Sequence, residues 1–231
     1  MTSESVRLSK LTMAYGRKLV LNEMSLAIPA GEIVGLVGAN GCGKTTLMKI
    51  LAGLIQTYSG KVSILGETDT WRAKRRVCFY PSEPYFEPNA TLYQTMKMHG
   101  ALFPGYDMAL AAQTLDAFGL NASLRMGTLS KGRRALAQFI LHMARDAEVY
   151  LLDEPFGGLD IKTRDMVKYV MLRLISPGKT CIVSTHELTD MEALFDRIIL
   201  IKDGKVAIDA PADELRAASA CSITEVVKEA L

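Results

Sequence analysis

The chain has 231 residues, 49% of them hydrophobic, with 27 basic against 25 acidic side chains and a formal net charge of +2. That length and apolar content suffice for one large core or two small lobes. The near balance of charge argues against a dedicated nucleic-acid binder, and no nucleic-acid partner is expected.

The longest apolar runs, 149–152 and 198–201, are strand-sized and far short of the roughly 20 residues that a membrane helix needs. The first fifteen residues carry Glu4, Arg7 and Lys10 and no apolar stretch, so they do not read as a secretory signal. A cytosolic chain is expected. Cys42, Cys78, Cys181 and Cys221 are scattered without a Cys-x-x-Cys pair, which favours reduced thiols over a zinc site or a disulfide framework.

In chain order, short strands are predicted near 6–13 and 24–28, the second closed by the turn Pro29-Ala30-Gly31-Glu32. Ile33-Val34-Gly35-Leu36-Val37 is a continuous apolar run, the pattern of a central strand covered on both faces. A helix over 45–54 follows. Further buried strands are predicted over 77–80, 149–152, 180–184 and 197–201, with helices over 161–175 and 187–195. Between residues 91 and 144 no strand pattern occurs; Leu110, Leu115, Phe118 and Leu120 recur at helical spacing, so a helical lobe is inserted between two sheet strands. The alternation gives an α/β fold with parallel strands at its centre. No internal repeat or low-complexity linker is present. The charge run Arg72, Lys74, Arg75, Arg76 reads as a solvated turn, the alternative being contact with nucleic acid or lipid headgroups.

Gly38-Ala39-Asn40-Gly41-Cys42-Gly43-Lys44-Thr45-Thr46 lies between the predicted central strand and its helix, the setting that a phosphate loop requires. Glycines there let backbone N–H groups turn toward phosphate, and the helix N-terminus adds positive potential. Lys44 would reach the β- and γ-phosphates, and the Thr45 hydroxyl would bind Mg²⁺. Val149-Tyr150-Leu151-Leu152 then ends in the paired carboxylates Asp153 and Glu154. Phosphoryl transfer to water needs a metal and a placed nucleophile, so Asp153 is the candidate for the Mg²⁺ shell and Glu154 for general base. His186, after the strand over 180–184, could donate to the γ-phosphate or be an ordinary surface histidine. His99 and His142 read as structural. Cys42 in the loop reads as a small side chain that fits there rather than as an oxidation switch.

With Leu129-Ser130-Lys131-Gly132-Arg133 and Gly158-Leu159-Asp160 added, five motifs stand in one order, and from about residue 6 to 217 the chain resembles the ATP-binding subunits of ABC transporters. The resemblance implies a phosphate-loop ATPase fold with antiparallel strands at its N-terminus, a parallel-sheet core and a helical subdomain at about 83–146, all within one domain at 1–217. The tail 218–231 is expected to end as a helix. It further implies that Tyr15 stacks on adenine, that Ser130 and Gly132 contact the γ-phosphate held by a second ATPase subunit, and that Asp160 lies at that dimer interface. The expected ligands are ATP and Mg²⁺. The expected partners are an integral membrane permease and an identical or different second ATPase subunit, which would place the chain on the inner face of the cell membrane.

Two departures from the family pattern stand out. Lys131 and Arg133 put positive charge at a helix start, disfavoured by roughly 0.3–1 kcal/mol each unless a bound phosphate offsets it; the alternative is that both face solvent. Ser82 stands where the family usually has a glutamine that touches Mg²⁺ and the attacking water, so slow or partner-dependent hydrolysis is expected. Tyr85 and Phe86, flanked by prolines, are candidates for the groove where the family docks its membrane subunit, whereas Met96 reads as core. With the segment Leu102-Phe103-Pro104-Gly105-Tyr106-Asp107, these variants resemble a bacterial subgroup that exports peptides or antibiotics. The competing readings are a soluble ATPase acting on a protein assembly, such as iron-sulfur cluster assembly or a DNA-linked complex, and a non-catalytic nucleotide switch.

Overall fold

The computed structural model describes residues 4–186, 188, 191–218 and 222–230. Alternating apolar and polar residues form the antiparallel hairpin β1 (Glu4–Tyr15) and β2 (Lys18–Pro29). The apolar run forms β3 (Ile33–Val37), and α1 (Lys44–Leu51) leaves the glycine loop directly. β4 (Ser59–Ile64) returns to pair with β1, so the first sheet is ordered β2-β1-β4. After the single turn α2 (Thr70–Ala73), capped by the Asp69 side chain, comes β5 (Val77–Tyr80).

The segment read as helical holds α3 (Leu92–Leu102), α4 (Met108–Ala117) and α5 (Lys131–Met143). Thr91 and Gln94 form a reciprocal capping box on α3, Asp107 caps α4, and Ser130 caps α5, so each helix starts where a short polar side chain can satisfy a free N–H. β6 (Val149–Asp153), α6 (Ile161–Leu174), β7 (Thr180–Thr185), β8 (Arg197–Lys202), β9 (Lys205–Pro211), α7 (Ala212–Ala218) and α8 (Ile223–Ala230) complete the chain. The second sheet is ordered β5-β6-β7-β3-β8-β9, parallel throughout except for the antiparallel edge strand β9.

Residues alternate between the two faces of this sheet. Val34, Leu36, Leu151, Ile182 and Ile199 pack toward the first sheet and α1, while Val37, Leu152, Val183 and Leu200 pack toward α5 and α6. Burial on both faces is why the central strands read as unbroken apolar runs. β2 starts six residues earlier than the pattern predicts, because Asn22 and the positive-φ Glu23 form a bulge that interrupts the alternation, and pairing with β1 resumes beyond them at Leu21. Of the helix expected over 187–195, Glu187, Thr189 and Asp190 lie outside the described residues, and the rest holds one short 3₁₀ turn at Glu192–Leu194.

Candidate functional site

The site is assembled by strand pairing. β7 lies between β6 and β3, with Asp153 opposite Ser184 and Val37 opposite Thr185. The glycine loop after β3, the carboxylates at the end of β6 and His186 after β7 therefore meet at the carboxyl ends of three neighbouring strands, the usual ligand position in an open α/β sheet.

Lys44 is buried, and its ammonium donates to the carbonyls of Gly38 at 2.7 Å and Ala39 at 3.2 Å, with Glu154 Oε1 at 3.7 Å. The Thr45 hydroxyl donates to Asp153 Oδ1 at 3.1 Å. His186 Nδ1 lies 2.9 Å from Glu154 Oε2. The sequence-predicted Lys44, Thr45, Asp153, Glu154 and His186 are thus one connected group. Glu154 has φ of +48°, a left-handed conformation unusual for a residue with a side chain, and its N–H donates to Ser184 Oγ at 2.9 Å.

Asp153 is 1% exposed, and its Oδ2 has no hydrogen-bond partner among the described residues, although Oδ1 accepts two hydroxyl donors. An ionised oxygen buried without a partner is costly, so the arrangement fits a cation. No cluster of three or more His, Cys, Asp or Glu able to hold a metal occurs among the described residues. An ion here would draw its remaining ligands from phosphate oxygens and water, which suits Mg²⁺ and its preference for few carboxylates.

The remaining loop residues surround this group. Asn40 and Gly41 are exposed, Cys42 is half-buried, and Gly43 and Thr46 are buried. A Cβ on Gly43 would stand 3.1 Å from the Val20 carbonyl, so β2 runs against the loop and brings its hairpin turn with it. Tyr15, at that turn, is 52% exposed.

Ser130 and Gly132 belong to a different surface, at the start of α5. The exposed Ser130 accepts from Arg133 N at 3.4 Å as helix cap. A Cβ on Gly132 would stand 2.6 Å from Thr163 Oγ1 and 3.4 Å from Asp160 Oδ2, so glycine is required by packing against the start of α6. Asp160 caps α6, and the Thr163 hydroxyl and N–H hold its carboxyl below the usual carboxylate range. Arg133 is exposed, and its guanidinium donates to the Gly119 carbonyl just beyond α4 at 2.6 Å. Lys131 is exposed, next to Gly158.

Ser82 is exposed in the segment after β5. That segment is fastened by Gln138, whose side chain donates to the Pro84 carbonyl at 2.8 Å, and by Arg134 over the Phe86 ring at 4.5 Å. Beside it lies an apolar groove of about 580 Å³ lined by residues including Tyr85, Phe86, Met98, His99 and His142. Tyr85 is 82% exposed and Met96 is buried, both as expected. His99 and His142 stack edge to face at 5.1 Å, and burial holds both below the ordinary imidazole pKa, His99 at about 4.

The basic run lies at the surface, as the solvated turn expected of it. Arg76 pairs with Glu148, Arg72 with Asp69, Lys74 lies over Trp71, and the carbonyls of Lys74 and Arg75 accept from Arg145. Two residues that sequence reasoning passed over are Gln138, which pins the Pro84 segment, and Ser184, whose hydroxyl links the Asp153 carboxylate to the Glu154 backbone N–H. The signal for Ser184 was a hydroxyl directly after the apolar run Cys181-Ile182-Val183 of a buried strand.

A family model described as ABC transporter matches residues 21–157. The aliphatic sulfonates import ATP-binding protein of Pseudomonas fluorescens is 35% identical over 88% of this chain and 75% of its own. The Nod factor export ATP-binding protein I of Burkholderia orbicola is 33% identical over 92% of this chain and 73% of its own. A solved ATP-binding subunit of an ABC transporter superposes with a TM-score of 0.83 over 97% of this chain and 98% of that one; at 24% identity it attests the fold.

Proposed function

The chain belongs to the ABC transporter family as an ATP-binding subunit that powers transport, and from that premise we propose how its own residues bind and hydrolyse ATP. The observation that carries the reading is the joined set Lys44–Glu154, Thr45–Asp153 and Glu154–His186 beneath the glycine loop. The loop N–H groups from Asn40 to Thr46 cradle the phosphates, and Lys44 exchanges its carbonyl partners for phosphate oxygens. Thr45 and Asp153 hold Mg²⁺, which when bound neutralises developing phosphate charge. Glu154 takes a proton from the attacking water, and His186 orients the Glu154 carboxylate and approaches the γ-phosphate. Tyr15, exposed at the turn that β2 carries against the loop, stacks on adenine.

Ser130 and Gly132 complete the site of a second ATPase subunit. The exposed α5 N-terminus, with its serine hydroxyl, supports this, since such a terminus favours an anion. Domain 1–217, with its helices at 83–146, works as one unit. The apolar groove beside Tyr85 and Phe86 receives an integral membrane permease, which holds the chain at the cytoplasmic face; no helix among the described residues is long and apolar enough to cross a membrane itself. Export is supported by the Nod factor export relative, although the sulfonate relative is named for import; a peptide or antibiotic cargo rests on the sequence resemblance alone. Ser82 is too short to serve both metal and water, so the isolated chain turns over slowly.

Ser130→Asp tests the shared site. Aspartate caps a helix as well as serine does but sets a negative charge against phosphate. ATP should double the sedimenting mass of the wild type, alone or with its paired subunit, and should fail to do so for Ser130→Asp. Equal pairing by both would refute the assignment of Ser130.

A further inference from the structure

Ser184 is fully buried at the end of β7, and its hydroxyl sits between the Asp153 carboxylate and the Glu154 backbone N–H. The hydroxyl donates its one proton to Asp153 Oδ1 at 2.6 Å and accepts the Glu154 N–H at 2.9 Å. With the Thr45 hydroxyl also on Oδ1, both donors within reach converge on one oxygen and leave Oδ2 without a hydrogen-bond partner among the described residues. The same residue secures a backbone in an unfavourable region: Glu154 at φ +48° is bonded to Ser184 Oγ and, at 3.2 Å, to the Ser184 carbonyl, and its own carbonyl accepts from Gly157 N at 3.0 Å. Two residues further on, His186 reaches the Glu154 side chain at 2.9 Å. One side chain therefore fixes which Asp153 oxygen is available to a cation and the backbone from which Glu154 projects.

We propose that Ser184 is a positioning residue for ATP hydrolysis, coupling the metal-holding Asp153 to the base Glu154. This rests on the site reading given above. In the sheet Ser184 stands opposite the apolar Leu36 on β3 but opposite Asp153 itself on β6. The hydroxyl is therefore matched to the Asp153 carboxylate and the Glu154 N–H rather than to apolar packing.

The test is the Mg²⁺ dependence of binding for a fluorescent ATP analogue, together with single-turnover ATP hydrolysis, in Ser184→Ala and in the matched pair Ser184→Thr and Ser184→Val. Losing one charge-assisted hydrogen bond should raise the half-saturating Mg²⁺ concentration and lower the single-turnover rate by about tenfold each. Binding of the analogue in EDTA and the thermal midpoint should stay close to wild type. Thr and Val share the added methyl, so any packing disturbance is common to both, and only Thr should recover the Mg²⁺ response. An alanine variant with wild-type Mg²⁺ dependence and rate, or a Val variant equal to Thr, overturns the role of Ser184 alone. A wild-type chain whose ATP binding ignores Mg²⁺ overturns the site reading and this inference with it.

Discussion

Replacing Asp153 by asparagine separates what the carboxylate does for the fold from what it does for the ligand. Oδ1 accepts from Ser184 and Thr45, and an amide oxygen can keep both bonds. The amide nitrogen then occupies the place of Oδ2, where no partner is available among the described residues, at a cost of about 1–3 kcal/mol for an unmatched buried donor. Removing a buried negative charge offsets most of that. The net change is about 1 kcal/mol of either sign, or roughly 3 °C in a chain this long. Ligand at a hundredfold excess over its Kd stabilises by about 2.7 kcal/mol, roughly 5–10 °C. Differential scanning fluorimetry with ATP in EDTA and then in Mg²⁺ should therefore show an Mg²⁺-specific upward shift in the wild type and none in Asp153→Asn, from nearly equal starting midpoints. An undiminished Mg²⁺ shift in the variant would refute the assignment of Asp153, and a drop of more than about 10 °C without ligand would show that its role is to hold the fold.

Two further outcomes follow from the same geometry. Gly41→Ala meets nothing within 4 Å and bears only the strain of φ +81°, about 1–2 kcal/mol, whereas a Cβ on Gly38 would lie 2.4 Å from the Ile201 carbonyl oxygen; denaturant titration should rank Gly38→Ala several kcal/mol below Gly41→Ala. His99, its pKa pushed down to about 4 by burial and then by His142, binds fewer protons folded than unfolded between pH 4 and 6.5; its contribution is complete above pH 6.5 and is lost as pH falls toward 4, at up to about 1.4 kcal/mol per pH unit. Urea midpoints measured across that window should fall with pH, and His99→Leu should flatten the slope.

Much of this was legible because it is local. The loop at 38–46 and the apolar strand into Asp153 and Glu154 are each set by residues a few positions apart. β5 was readable end to end, being short and buried. The edge strands were not: β4 carries Ser59, Gly60 and Lys61, and β9 is half-exposed along its length, so neither shows the apolar density of a central strand. The role of Ser184 was hidden for a different reason, because it depends on β7 lying beside β6, a pairing between residues 31 positions apart. Arg133 was ambiguous in sequence because its acceptor, the Gly119 carbonyl, belongs to a turn and not to any side chain.

Glu154 carries the central claim, that this chain hydrolyses ATP with its own carboxylate. Single-turnover hydrolysis of radiolabelled ATP by the wild type and by Glu154→Gln, with MgATP binding measured in parallel, tests it most directly. The account predicts a rate at least about a hundredfold lower in the variant with binding retained. An unchanged rate at equal binding would contradict it.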